Sequence, residues 1–274
     1  MKTFGWLKLF SVKKNKMKTI ILCGGTGYRL KEETEFKPKP MVQVGGKPIL
    51  WHIMKIYAHY GYNDFVLALG YKADYIKDFF LNQKAFTSDF TLETKDHKAK
   101  YYLENRSEID DFRITFADTG LETNPGERIL KCRKYIPEGD TSFMVTYGDG
   151  VSDVNIHELI KYHKKEGTIG VITGIHPRSK FGMVEIDKKG KVKSFSEKPL
   201  VNNWINGGYM VFQKAFFDYI KPGETEHPAL ARLALQGQLS LYKHNGFWYC
   251  VDTYKELDEL NNIWNSGKVP WKVW

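Results

Sequence analysis

Short apolar runs of strand length alternate with helical stretches along most of this chain, and that alternation leaves few folds open. Residues 18–23, 65–69, 113–116, 142–147, 169–173 and 209–212 read as strands. Ile49, Leu50, Ile53, Ile56, Tyr57 and Tyr60 share one helical face that Gly61 closes. Residues 72–80, 155–166 and a last stretch from Tyr254 to near Gly267 also read as helices. Strands separated by helices predict an α/β fold, with a mostly parallel sheet and helices on both faces. Residues 82–111 are polar and irregular and are expected to form an excursion. Residues 183–187 and 192–196, around Lys188-Lys189-Gly190, predict a hairpin. In such sheets ligands bind at the carboxyl ends of the strands.

The first strand runs straight into Gly24, Gly25, Thr26 and Gly27, followed by Arg29, and then by Lys37 and Lys39 between prolines. Glycines leave room for a ligand beside the main chain, and free N–H groups after a strand suit an anion. Fixed cations nearby point to one with several charges. The loop lacks the Gly-Lys-Ser/Thr ending of a P-loop. It also lacks the third glycine and the downstream acid of a dinucleotide fingerprint, since Leu30 and Val44-Gly45-Gly46 stand there. A polyphosphate other than a dinucleotide is the expected ligand. Two carboxylates, Asp149 in Gly148-Asp149-Gly150 and Asp252 after an apolar run, fall at the same edge. Either alone is an ordinary turn or cap residue. Together they could share Mg²⁺, which takes oxygen ligands.

The net charge of +9 is uneven. The first sixteen residues carry Lys2, Lys8, Lys13, Lys14 and Lys16 and no acid, and the remainder holds 36 basic and 32 acidic residues, or +4. That excess suits anionic small molecules and argues against a nucleic-acid partner. Cys23, Cys132 and Cys250 are odd in number and widely spaced, with no zinc or disulfide pattern, so a reduced cytoplasm is the expected setting. No apolar run is long enough for a membrane anchor. The eight histidines show no metal-ligand spacing and are expected to be packed or solvated. Trp264, Trp271 and Trp274 are expected to pack the terminus or meet another subunit.

The runs GGTGYRL, KPKPM, GGKPILWHIM, GYK, TYGDG, SEKP, WINGGYMVF, VDT and GKVPWKVW occur in one order. In these the chain closely resembles the sugar nucleotidyltransferase family, and within it the glucose-1-phosphate cytidylyltransferase branch. The resemblance spans residues 17–274, taken as one domain, and leaves 1–16 as an extension. It implies a Rossmann-like nucleotidyltransferase fold with a small β excursion, and a homo-oligomer. The implied reaction joins CTP and a sugar 1-phosphate, with Mg²⁺, to give a CDP-sugar and pyrophosphate. By motif, Gly24, Gly25, Thr26, Gly27, Arg29, Lys39, Gly70, Thr119, Gly120, Arg128 and Asp149 would bind the nucleotide. Asp149 and Asp252 would hold the metal. Tyr147, Glu197, Lys198, Asn206 and Gly207 would face the acceptor. Arg29, Lys39, Asp149, Lys198 and Asp252 would carry the chemistry, which needs no base because a phosphate monoester is already an anionic nucleophile.

The chain departs from that branch at Glu127, where a glycine is usual, and at Lys180, where an arginine is. It also departs at residues 225–230, which read Thr-Glu-His-Pro-Ala-Leu instead of Trp-Glu-x-Glu-Pro-Leu, and at Tyr249-Cys250-Val251-Asp252-Thr253 instead of Gln-Pro-Met-Asp-Thr. The nucleotide half is intact and the acceptor half is altered. A different phosphorylated acceptor, another sugar or a polyol phosphate, therefore stays open. So does a nucleotide-binding regulatory module without catalysis.

Overall fold

A computed structural model describes residues 17–102 and 110–274, apart from the side chains of Arg29, Lys31 and Glu32. The extension before Met17 lies outside the described residues. Seven strands form the central sheet: β1 (Thr19–Leu22), β2 (Asp64–Leu69), β3 (Arg113–Asp118), β4 (Ser142–Tyr147), β5 (Gly170–Ile175), β6 (Ile205–Gln213) and β7 (Leu239–Lys243). Their order across the sheet is β7-β5-β6-β4-β1-β2-β3. All run parallel except β6, which lies antiparallel between β4 and β5. The reason lies in the connection. The chain between β5 and β6 holds the hairpin Met183–Ile186/Val192–Ser196 and no crossover helix, so it returns in the opposite direction.

Among the described residues the helices of seven residues or more are α1 (Ile49–His59), α2 (Ala73–Leu81), α3 (Pro125–Lys131), α4 (Ile156–Glu166), α5 (Glu226–Leu235) and α6 (Tyr254–Asn265). Successive strand residues feed opposite faces. Ile21, Leu67 and Met144 pack against α1, α4 and α6 on one side. Ile20, Val66, Phe143 and Val145 pack against α3, α5, Phe216 and Phe217 on the other. The sheet is thus apolar on both faces, as parallel strands with helices on both sides require. Asn155 caps α4 through its side chain, and Thr253 with Glu256 forms a capping box at α6.

The excursion expected over 82–111 is a short helix, Gln83–Thr87, and an exposed hairpin, Asp89–Glu93/Lys98–Tyr102. The C-terminal tryptophans pack onto the core. Trp271 is fully buried, and with Trp264 and Trp274 it surrounds the buried His52. His52 Nε2 lies 2.8 Å from the Val44 carbonyl. Burial, despite that bond, pulls its pKa down to about 4, with Lys272 and Lys47 adding to the shift. It is therefore a packed histidine. Among the described residues no helix is long and apolar enough to cross a membrane.

Candidate active site

The glycine loop after β1, Gly70 after β2, Thr119 and Gly120 after β3, and Asp149 after β4 all lie at the carboxyl edge of the sheet. Asp252 reaches that edge by a separate device. The short strands Gly150–Ser152 and Trp248–Cys250 pair antiparallel, and Val251 N–H donates to the Asp149 carbonyl at 2.9 Å. Two aspartates 103 positions apart are thereby set side by side. Lys39 enters through Lys39–Met41, a turn of 3-10 helix opened by Pro38, and its Nζ donates to Asp149 Oδ2 at 2.5 Å and Asp252 Oδ1 at 2.7 Å. Burial works against its charge, but the carboxylates outweigh it and hold the pKa above that of ordinary lysine. Gly148 permits this closeness, since a Cβ there would meet the Leu22 carbonyl at 2.9 Å and Pro40.

The other expected nucleotide residues divide into those that face outward and those that do not. Gly25 is exposed, and a Cβ on it would meet nothing within 4 Å. Gly27 turns the chain with φ +66°. Arg128 is turned inward and buried. Its Nη1 donates to the Leu69 and Gly120 carbonyls and the Thr119 hydroxyl, and its Nη2 to the Gly24 and Leu121 carbonyls, all between 2.7 and 3.0 Å. Thr119 in turn donates to Leu69 O at 2.6 Å. One guanidinium therefore ties the loops after β1, β2 and β3 together. A Cβ on Gly24 or Gly70 would strike it, at 2.2 and 2.5 Å. The Arg29 side chain lies outside the described part. Lys37 is not with Lys39; it pairs with Glu33 at 2.7 Å. The glycine missing at position 127 is accommodated, because Glu127 accepts from Gly223 N–H at 2.9 Å and pairs with Lys131 at 3.1 Å.

Beside the Lys39 triangle lies a cavity of about 330 Å³, lined by Tyr147, Asp149, Asn206, Gly207, Glu226, Trp248, Cys250 and Asp252 among others. Trp248 Nε1 donates to Gly207 O at 2.7 Å, and Asn206 Oδ1 accepts from Gly208 N–H at 2.9 Å. Glu226, 3% exposed, accepts the Tyr147 hydroxyl on Oε1 at 2.6 Å. Burial, then the nearby Glu226 charge, pushes the Tyr147 phenol well above its usual pKa. Glu226 Oε2 is buried with no hydrogen-bond partner. A buried, half-satisfied carboxylate is costly unless a donor reaches it. Sequence reading missed Glu226, although its place in Thr225-Glu226-His227 matches a glutamate of the branch's motif. Glu197 and Lys198, expected at the acceptor, stand at the end of the exposed hairpin, outside the residues lining this cavity, and Lys198 holds φ +45°.

Convergence of a glycine loop, a lysine and two carboxylates at one edge of a mostly parallel sheet is what nucleotidyl transfer needs, and the comparison with known families agrees. The family model described as nucleotidyl transferase matches residues 18–263. The chain belongs to the nucleotidyl transferase family. Within that family it is 44% identical over 94% of its length to a probable glucose-1-phosphate cytidylyltransferase of Bacillus subtilis (strain 168), all of which is covered. It is 41% identical, again over 94% of this chain and all of the relative, to glucose-1-phosphate cytidylyltransferase of Salmonella typhimurium. Among solved structures, HddC from Yersinia pseudotuberculosis superposes with a TM-score of 0.64 at 21% identity, over 90% of this chain and 99% of that one. That likeness speaks for the fold.

The carboxylate pair fits a divalent metal. Both groups already converge on one positive charge, the Lys39 ammonium, and both are part-buried oxygen donors.

Proposed function

We propose that this chain joins CTP to a sugar 1-phosphate, glucose 1-phosphate foremost, and releases pyrophosphate. The Lys39–Asp149–Asp252 triangle beside the cavity carries the reading, and the relatives named for this reaction support it. The acceptor phosphate oxygen attacks the α-phosphorus, the bond to the β-phosphate oxygen breaks, and its electron pair leaves on pyrophosphate. The obstacle is repulsion between two anions. Asp149 and Asp252 would hold a divalent metal, Mg²⁺ by preference, which when bound supplies charge neutralisation along the phosphates. Lys39, freed from the carboxylates, would swing onto the phosphates, and Arg29 and the glycine-loop amides would receive charge on the leaving group. Glu226 and Asn206 would take hydroxyls of the acceptor, with Lys198 closing from the hairpin.

The test is pyrophosphate release with CTP, UTP and dTTP crossed against a panel of phosphorylated sugars and polyols. Fastest turnover with CTP and glucose 1-phosphate supports the reading. A different best acceptor overturns the choice of sugar, and no turnover with any pair overturns catalysis.

A further inference from the structure

Cys250 belongs to the reacting centre yet has no part in the proposed reaction. It ends the strand Trp248–Cys250 opposite Gly150 and lines the same cavity as Asp149 and Asp252. Its Sγ and one carboxylate oxygen of each aspartate all lie within 4.8 Å of one another. Around one tetrahedral Zn²⁺, with sulfur at about 2.3 Å and oxygen at about 2.0 Å, such atoms stand roughly 3.5 Å apart. The ligand atoms thus need to approach one another by no more than about 1.3 Å to close on an ion. Two further observations mark the place as one for a cation. The Lys39 ammonium already lies between the carboxylates at 2.5 and 2.7 Å. The buried, unpartnered Glu226 Oε2 belongs to a residue lining the same cavity. Cys23 and Cys132, by contrast, are fully buried core thiols.

We infer that Asp149, Asp252 and Cys250 form a site for a thiophilic divalent ion such as Zn²⁺, Cd²⁺ or Co²⁺. The site shares its aspartates with the proposed reaction but stands on their geometry and not on turnover. Mg²⁺ takes oxygen donors and keeps its waters, so it passes the sulfur by, whereas softer ions select thiolate. Binding replaces the thiol proton, which leaves to solvent, and displaces the Lys39 ammonium; no electron is transferred. An ion held by three protein ligands has fewer positions left for phosphate oxygens. It therefore acts as an inhibitor of metal-assisted transfer at this site.

The test is a Co²⁺ titration of the metal-free full chain without nucleotide, read by the thiolate-to-cobalt charge-transfer band in the near ultraviolet. A saturable band is expected in the wild type and in Lys39→Met, and none in Cys250→Ser or Cys250→Ala. Zn²⁺ should abolish the band by competition. Asp149→Asn and Asp252→Asn should each weaken Co²⁺ binding at least about tenfold, the lower end of what even an outer partner contributes to a metal site. No band in the wild type, a band that survives Cys250→Ser, or one that both Asn variants leave unchanged overturns the site. Failure of the proposed reaction would show separately, as absent pyrophosphate release with the band intact.

Discussion

The two sides of the cleft are built differently. On the side proposed for the nucleotide, the loops after β1, β2 and β3 are sewn together by one buried residue, Arg128, whose donors go to four backbone carbonyls and the Thr119 hydroxyl. On the side proposed for the acceptor, the cavity draws Tyr147, Asn206, Glu226, Trp248 and Asp252 from distant stretches of chain, and the hairpin between β5 and β6 leaves Met183, Val184, Val192 and Phe195 exposed. The first side is held by hydrogen bonds to its own backbone carbonyls. The second is held by a few side-chain contacts, one of them with an unpaired carboxylate oxygen. Specificity is easier to change where fewer backbone bonds must be rebuilt, and the departures from the branch's motifs at residues 225–230 and 249–251 do lie on that side.

Removing the knot on the nucleotide side should have the largest effect. Arg128→Ala strands buried carbonyls that cost about 1–3 kcal/mol each when unpaired, so urea unfolding should report a loss of about 3–5 kcal/mol. A loss under about 1 kcal/mol would mean that the loops are held by something else. His52 probes the frame behind that side. Its pKa is lower in the folded chain, about 4 against 6.5, so the unfolded state binds more protons between those values. Stability contributed by neutral His52 is present above pH 6.5 and is lost as pH falls toward 4, by about 3 kcal/mol in all. His52→Gln should flatten that part of the stability–pH curve; an unchanged curve would assign the slope to other groups.

Much of the fold is legible in the sequence, because short apolar runs of strand length and the α1, α4 and α6 faces leave little choice. The misses have separate causes. Gly150–Ser152 and Trp248–Cys250 are three residues each, too short for periodicity, yet they bring Asp252 to Asp149. Helices α3 and α5 and strand β7 are not predicted by the sequence pattern, and with α5 goes Glu226, whose proposed role depends on its lying beside β4. The antiparallel β6 follows from a connection without a helix, which the run of residues 209–212 alone does not reveal. Of the site residues expected from motif and strand ends, Lys39, Asp149 and Asp252 come together in the structure. Lys37 resembles Lys39 in sequence but points away, because Pro38 and the following 3-10 turn separate their directions.

Glu226 sharpens the contrast on the acceptor side. Glu226→Gln should raise the KM for the sugar phosphate about 10–100-fold and leave the KM for CTP nearly unchanged, as expected when one charged hydrogen-bond partner is lost. An effect confined to CTP would move Glu226 to the other side of the cleft. Lys37→Ala is the smallest test. Its pair with Glu33 is near the surface, so stability should change by about 1 kcal/mol or less and turnover should hold. A large loss of turnover would put Lys37 on the phosphates after all.

Single-turnover release of pyrophosphate by Asp149→Asn, with CTP, Mg²⁺ and glucose 1-phosphate all saturating, tests the reacting centre most directly. The substitution keeps the shape and removes the charge that Lys39 meets at 2.5 Å. The expected result is a rate lower by roughly 10²–10⁴-fold, about 3–5 kcal/mol of transition-state stabilisation, with the melting temperature close to wild type. A wild-type rate in that variant would contradict the placement of the reaction at this triangle.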